Sequence, residues 1–244
     1  MKKTAIIIPT RLGAKRFPNK PLAKINNIPM IIHVLNRAKE SKVGEVFVAS
    51  PDEEIIKVVK KNKGNAFLTK NDHSSGSDRI YEVYKKVLDD AVDLIINLQG
   101  DMPNIKPGSI LKLEKLMRKN KCDIGTLASY IKKNDISNPN IVKVEVEKNL
   151  ESHTFLEAKD FFRIKKDLKN KKIYHHVGIY CFQPAYLKQY IELGESKQEK
   201  IQKLEQLRVL GKIDIKVGYC DSNPLSVDTL EDLKRAERRI IGER

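Results

Sequence analysis

Three short polar clusters carry residue types that handle phosphate and divalent metal. The first, Pro9-Thr10-Arg11-Leu12-Gly13-Ala14-Lys15-Arg16-Phe17-Pro18-Asn19-Lys20, places four cations in one loop. Guanidinium groups fork onto phosphate oxygens, lysine adds a mobile point charge, and Gly13 lets backbone N–H groups approach an anion. The loop has neither the dinucleotide G-x-G-x-x-G fingerprint nor the P-loop spacing. By itself it reads as anion binding or as a solvated basic loop. The second cluster, His73-Ser74-Ser75-Gly76-Ser77-Asp78-Arg79, offers small hydroxyls, a glycine and a helix start. Those groups suit the polar edges of a nucleotide, or simply cap a helix. In the third, Leu98-Gln99-Gly100-Asp101-Met102-Pro103, a carboxylate follows an apolar run with glycine beside it, as either a Mg²⁺ ligand or a turn aspartate would. Asp228, in Ser226-Val227-Asp228-Thr229-Leu230-Glu231-Asp232, is a second metal ligand or a helix N-cap.

The elements that must position these clusters follow from hydrophobic pattern. Ile6-Ile7-Ile8 reads as a buried strand ending at Pro9. Pro29 opens a helix through about Ser41, Glu45 to Ser50 forms a second strand, and Asp52 to Lys61 a second helix. Asn65 to Thr69 is a third strand. Ser77 caps a helix running to about Leu88, and Asp93 to Leu98 is a fourth strand. Strand–helix alternation over this half predicts an α/β fold with a doubly wound, mostly parallel sheet. Ligands of such sheets bind beyond the carboxyl ends of the strands. The three clusters follow the first, third and fourth strands and so converge on one mouth. Beyond residue 121 the pattern mixes. Strands are expected over 125–131, 142–147, 172–182 and 212–219, and helices over 198–210 and 229–241. The charged stretch 149–171 reads as an excursion from the core. With no internal repeat and no low-complexity linker, one domain over 1–244 is expected.

Composition narrows the class. A chain of 244 residues, 40% hydrophobic and 32% charged, buries a sizeable core and is neither disordered nor membrane-spanning in type. No apolar run approaches the ~20 residues of a membrane span. No signal-peptide pattern opens the chain, so a cytoplasmic location is expected. Cys122, Cys181 and Cys220 are widely spaced and read as reduced, apolar residues. The net charge of +15 is spread over pairs such as Lys60-Lys61, Lys132-Lys133, Lys165-Lys166 and Lys171-Lys172, which read as solvated faces. No basic helix, zinc finger or aromatic RNA-binding strand accompanies it, so no nucleic-acid partner is expected. Part of the charge serves to gather anionic substrates.

Seven motifs then stand in order along the chain. They are Ile-Ile-Pro-x-Arg-x₄-Arg-x-Pro-x-Lys-Pro-Leu, His-x-Ser-Gly-Ser-Asp-Arg, Gln-Gly-Asp, Asn-Pro-Asn-x-Val-Lys-Val, His-x-Gly-Ile-Tyr, Leu-Glu-Gln-Leu-Arg-Val-Leu and Val-Asp-Thr-x-Glu-Asp-Leu. Together they resemble the 3-deoxy-manno-octulosonate (Kdo) cytidylyltransferase, or CMP-Kdo synthetase, family from end to end. The resemblance implies transfer of CMP from CTP to the anomeric hydroxyl of Kdo, with release of pyrophosphate, for lipopolysaccharide synthesis. It implies a nucleotide-diphospho-sugar transferase-like fold, a Mg²⁺ cofactor, and a homodimer formed through a small sheet excursion around 131–185. Arg11, Arg16 and Lys20 fall at the CTP phosphates, with Lys20, Arg11 and Asp101 as the catalytic set. Ser75, Gly76, Arg79 and Gln99 fall around the nucleotide. Gln99, His176, Tyr180, Glu205 and Gln206 fall around the sugar acid, and Asp101 and Asp228 match the metal-binding aspartates. No side chain in the motifs stands out as a general base, which leaves metal activation of the attacking hydroxyl.

Three positions depart from the family pattern. Ala14 replaces a small hydroxyl, and Met102 replaces the glutamate of Gln-Gly-Asp-Glu-Pro. Thr154-Phe155-Leu156-Glu157-Ala158-Lys159-Asp160-Phe161 stands where Tyr-Phe-Ser-Arg-x-x-Ile-Pro is expected. That last change motivates a rival sugar acid, an amino-substituted Kdo or a sialic-acid-like compound. A rival of another class is a non-catalytic polyanion-binding protein, which accounts for the charge but not for the paired aspartates.

Overall fold

The computed structural model of the chain describes residues 3–13, 16–89 and 91–242. It falls into two compact units, residues 1–111 with 224–244, and residues 112–223. The first unit begins with β1 (Thr4–Pro9), whose six residues are all buried, as the Ile6-Ile7-Ile8 run requires. A tight hairpin joins β2 (Lys24–Ile25) to β3 (Ile28–Pro29) through Asn26 and Asn27, at φ 48 and 63. Asparagine tolerates the left-handed region that such a two-residue turn needs. There follow α1 (Met30–Glu40), β4 (Glu45–Ser50), α2 (Glu53–Lys61), β5 (Asn65–Leu68), α3 (Gly76–Val83) and β6 (Leu94–Leu98). The strands of this unit run in the order β5-β4-β1-β6, and every neighbouring pair is parallel. Helix α1 buries Ile31, Val34, Leu35 and Ala38, the stripe that its sequence spacing predicts.

Helix α4 (Pro107–Asn120) contains the boundary between the units. The second unit holds β7 (Ile124–Ser129), β8 (Lys143–Val146), β9 (Phe155–Phe162), β10 (Lys172–Phe182), α5 (Pro184–Glu192), α6 (Lys197–Gln202) and β11 (Ile215–Tyr219). Its strands are mixed, β7 and β11 parallel and the other pairs antiparallel. The first part of β10 pairs with β8 and the rest with β7, and its register shifts at a bulge between Val177 and Tyr180. Lys143, from the Asn-Pro-Asn-x-Val-Lys-Val motif, is buried and has no carboxylate partner among the described residues. Its ammonium donates to the carbonyls of Asn138 (2.6 Å), Ile141 (3.0 Å) and Arg163 (2.6 Å), tying β8 to the end of β9.

The chain ends in the first unit with α7 (Leu230–Gly242). Leu233, Ala236 and Ile240 pack with Val227 on Ile25 and Met30, with Phe17 and Ala23 against the cluster. The closing helix thereby holds the hairpin behind the first basic loop. Among the described residues no helix is long and apolar enough to cross a membrane. The three cysteines are buried and in no disulfide.

Three sequence expectations need correction. The cap of α3 is Ser75, not Ser77. The Ser75 hydroxyl accepts from Asp78 N–H while the Asp78 carboxylate accepts from Ser75 N–H, a reciprocal box that needs an acid three residues on. That helix also ends at Val83 and passes into a π-helical turn, Tyr84–Leu88. The helix expected over 198–210 breaks after Gln202, because Lys203 is left-handed at φ 53, and a 3₁₀ turn follows at Glu205–Arg208. Within the stretch 149–171, expected as an excursion, the chain forms β9, a strand that pairs with β8 and β11; that outcome needs no correction.

Candidate active site

A cavity of about 280 Å³ opens in the first unit, next to Pro9 at the end of β1 and Gln99 just past β6. The parallel strands bring those ends together. Its walls are Thr10, Arg11 and Lys20 from the first cluster with Pro21 just after it, residues 73–76 and Arg79 from the second, and Gln99 to Asp101 from the third. The three clusters expected to share one mouth therefore do so. Ala14 and Lys15 lie outside the described residues.

The basic loop is held from both sides. Thr10 N–H donates to Ala49 O at 3.0 Å, and Leu12 N–H donates to the Asp52 carboxylate at 2.8 Å. Asn19, left-handed at φ 55, leads into a 3₁₀ turn, Lys20–Leu22, that aims Lys20 inward. Close contact with β6 depends on Gly100. A Cβ there would lie 3.1 Å from both Pro9 O and Thr10 Cβ. Gly13 is different, since a Cβ at that position would meet nothing within 4 Å.

Lys20 joins the two candidate metal ligands. Its ammonium donates to Asp101 Oδ2 at 3.0 Å and to Asp228 Oδ1 at 3.3 Å, and Arg16 contacts Asp228 Oδ2 at 2.9 Å. Burial opposes the Lys20 charge, but the two aspartates outweigh it and hold the ammonium above its ordinary pKa. Val227 N–H donates to Asp101 O at 2.9 Å, which keeps the 224–228 segment beside β6. Asp228 does not cap α7. Thr229 does, its hydroxyl accepting from Asp232 N–H at 3.2 Å and its own N–H donating to the Asp232 carboxylate at 3.1 Å. Two carboxylates thus converge on one cation beside an open cavity. Mg²⁺ takes hard oxygen donors, commonly one or two carboxylates with water and phosphate completing the shell, so these residues fit it. Among the described residues no group of three or more His, Cys, Asp or Glu could hold a metal. Met102, in place of the expected glutamate, is buried.

The opposite wall is built on α3. Asp78 gathers Ser74 Oγ (2.6 Å), Ser75 Oγ (2.9 Å) and Ser75 N–H (2.9 Å), so both hydroxyls are engaged and backbone N–H groups at the helix start remain for an anion. Arg79 is buried, donating to Lys70 O at 2.9 Å and to Thr69 Oγ1. Burial, and then Arg11, lower its pKa. Gln99 is oriented by a 3.1 Å bond to Asn97 in β6. Glu82 accepts from His73 Nε2 (2.5 Å), Lys86 Nζ (2.6 Å) and Lys70 N–H (3.0 Å). It carries no motif signal, and neither does Asp52. Both were missed because their partners are set by the fold.

The second unit assembles most of the residues expected at the sugar. The His176 and Tyr180 rings lie 5.4 Å apart on β10, with Phe161 edge-on to His176. The Thr126 hydroxyl donates to Ile179 O at 2.7 Å, so it accepts from His176 Nε2–H at 2.9 Å. Burial, with His175 adding to it, takes the His176 pKa down to about 3, so the ring is neutral at neutral pH. The Tyr180 hydroxyl is buried with no hydrogen-bond partner among the described residues. Burial and the Glu205 carboxylate raise its pKa well above the ordinary phenol value. Glu205 and buried Gln206 share the 3₁₀ turn with Arg208, which is locked to Glu199 by bonds of 3.0 and 2.8 Å. In the altered segment, Ala158 is buried and Glu157 pairs with Lys159 at 2.8 Å on the surface. Gln99 belongs to the first unit, the other four sugar-side residues to the second.

Residues 5–215 match the cytidylyltransferase family. The chain is 42% identical over 238 residues to a 3-deoxy-manno-octulosonate cytidylyltransferase of Brucella canis, spanning 96% of this chain and 94% of the relative. It is 43% identical over 247 residues to the protein of that name from Thermodesulfovibrio yellowstonii, with 96% and 97% covered. A solved structure of CMP:2-keto-3-deoxy-manno-octonic acid synthetase complexed with CTP superposes with a TM-score of 0.88 at 34% identity, covering 100% of both chains. A UDP-glucose pyrophosphorylase superposes at 0.74 with 15% identity over 100% of both chains, a likeness of fold alone.

Proposed function

Because the chain belongs to the 3-deoxy-manno-octulosonate cytidylyltransferase family, we propose that it transfers CMP from CTP to the anomeric hydroxyl of Kdo. The hydroxyl oxygen bonds to the α-phosphorus, the bond from that phosphorus to the bridging oxygen breaks, and pyrophosphate leaves. The hydroxyl proton passes to solvent. The observation that carries this reading is the pairing of Asp101 with Asp228 at a cavity walled by Arg11, Lys20 and the start of α3. Such chemistry asks the protein for positioning and charge stabilisation more than for covalent work.

On this reading each group has a task. Arg11, Arg16 and Lys20 bind the triphosphate and offset charge building on the departing pyrophosphate. Backbone N–H groups at the start of α3 hold a nucleotide oxygen, with Ser75, Gly76, Arg79 and Gln99 shaping the wall. Mg²⁺ held by Asp101 and Asp228 supplies charge neutralisation and a lowered pKa for the attacking hydroxyl. On the sugar side, the unsatisfied Tyr180 hydroxyl serves a sugar oxygen. His176, neutral and fixed by Thr126, offers its remaining nitrogen as an acceptor. Glu205 and Gln206 complete that subsite.

The same reading makes the protein a cytoplasmic homodimer that joins through the sheet excursion around 131–185 and supplies lipopolysaccharide synthesis. A monomer mass by light scattering refutes the dimer. The enzymatic test is a matrix of nucleotides against sugar acids with Mg²⁺, read as pyrophosphate release. CTP with Kdo is expected to turn over fastest, and Asp101→Ala to lose activity while keeping a native circular dichroism spectrum. Failure of CTP with every acid overturns the reading, and near-normal turnover of Asp101→Ala overturns the metal assignment.

A further inference from the structure

Two carboxylates facing one site repel unless a cation lies between them. In this chain the cation is Lys20. Its side chain is 14% exposed, and its ammonium touches one oxygen of Asp101 and one of Asp228. Arg16 takes the other Asp228 oxygen. Both oxygens of one metal ligand and one oxygen of the other are therefore occupied by the protein's own cations. A divalent ion entering with Lys20 in place would meet a like charge within the span of a hydrogen bond.

We infer that Lys20 is the resident counter-ion of the Asp101–Asp228 pair, and that a divalent cation enters only as nucleotide phosphates take over the Lys20 ammonium. The inference rests on the reading above that the two aspartates hold the metal. It goes further in making metal binding contingent on nucleotide. Lys20 lines the same cavity that receives the triphosphate, so the ammonium has an anion to turn to. Two things follow from that exchange. Without nucleotide, Lys20 keeps the aspartates together and discourages metal. With nucleotide, the same side chain leaves the carboxylates to the metal and neutralises phosphate instead. Lys20 is then a positioning residue for the metal as well as a phosphate contact. Coupling of this kind is reciprocal, so metal must favour nucleotide binding by the factor by which nucleotide favours metal.

The test is Mn²⁺ binding to the full-length protein, followed by calorimetry or by the electron paramagnetic resonance of free Mn²⁺. It compares wild type with Lys20→Met and Lys20→Gln. Without nucleotide, both variants are expected to bind Mn²⁺ at least about tenfold more tightly than wild type, within the usual range of coupling between sites. With a non-hydrolysable α,β-methylene CTP the advantage should shrink to less than about threefold, because wild type has then released Lys20. Melting temperature gives a second readout. Mn²⁺ alone should raise it more in the variants than in wild type. Equal Mn²⁺ affinity in all three nucleotide-free proteins overturns the inference. Asp101→Asn and Asp228→Asn separate that failure from a failure of the metal assignment. If they lose Mn²⁺ in the presence of the CTP analogue, the aspartates remain the ligands and only the role of Lys20 falls. If they retain it, the assignment falls and the inference with it.

Discussion

Glu82→Gln removes one charge and leaves the side-chain shape nearly unchanged, which isolates the electrostatics of the cavity's back wall. Glu82 is 8% exposed and ties together three groups around the second cluster, His73, Lys86 and the Lys70 backbone. Burial pushes its carboxyl upward, yet the bonds from those three partners bring it from 4.5 down to about 2. Undamped, a shift of that size is worth about 3 kcal/mol. The Lys86 partner is 52% exposed, and solvent screening there reduces the expected contribution to about 1–2 kcal/mol. The sign follows from proton linkage. Between pH 4.5 and about 2 the unfolded carboxyl is protonated while the folded one stays ionised, so the unfolded state binds more protons. The stabilisation is complete above the unfolded pKa and drains away as pH falls toward the folded one. Urea unfolding followed by circular dichroism should show a wild-type advantage of about 1–2 kcal/mol at pH 7, with more than half of it gone by about pH 3. KM for CTP should rise a few-fold with a smaller change in kcat, because His73 and Lys70 would lose their common anchor. A stability difference that stays constant from pH 7 to 3 would mean that Glu82 acts through packing and neutral hydrogen bonds, and the charge argument would fail.

Two more substitutions probe the supports of each unit. Gly100→Ala puts a methyl 3.1 Å from Pro9 O and Thr10 Cβ, so the first loop must give by a few tenths of an ångström, at a cost of about 1 kcal/mol. Pyrophosphate release should fall at least about tenfold, and unchanged turnover with an unchanged melting temperature would refute the close approach. Glu199→Gln leaves the Arg208 guanidinium, 2% exposed, without its anion, and should cost about 3 kcal/mol in urea unfolding. Adding Arg208→Met should recover part of that loss, whereas additive losses would show that the pair is not coupled.

Sequence pattern and fold agree best where the signal is local. The strand Glu45–Ser50 and the long strand Lys172–Phe182 match expectation at both ends, because continuous apolar or β-branched runs leave few alternatives. Strand β9 was hidden for the opposite reason. Glu157, Lys159 and Asp160 interrupt the apolar pattern that would mark a strand, although Ala158, Phe161 and Phe162 are buried. Asp52 was beyond reach in a different way. A carboxylate that holds a backbone N–H 40 residues away leaves no trace in its own neighbourhood.

The helix caps are more instructive, because their signal was present. A hydroxyl followed three residues later by an acid marks a reciprocal cap, and it occurs at Ser75–Asp78 and again at Thr229–Asp232. Applied to the second cluster, this spacing selects Ser75 over Ser77. The same rule at the start of α7 gives the cap to Thr229. That frees the carboxylate of Asp228, which a single-residue reading leaves divided between cap and metal ligand. With the cap supplied by its neighbour, Asp228 has no local duty, and its oxygens go to Lys20 and Arg16. The pairing of Asp228 with Asp101 is therefore a consequence of how α7 begins. A change at Thr229 or Asp232 that returns Asp228 to the cap would dismantle the Asp101–Asp228 pair, and with it the proposed metal site, without touching either carboxylate.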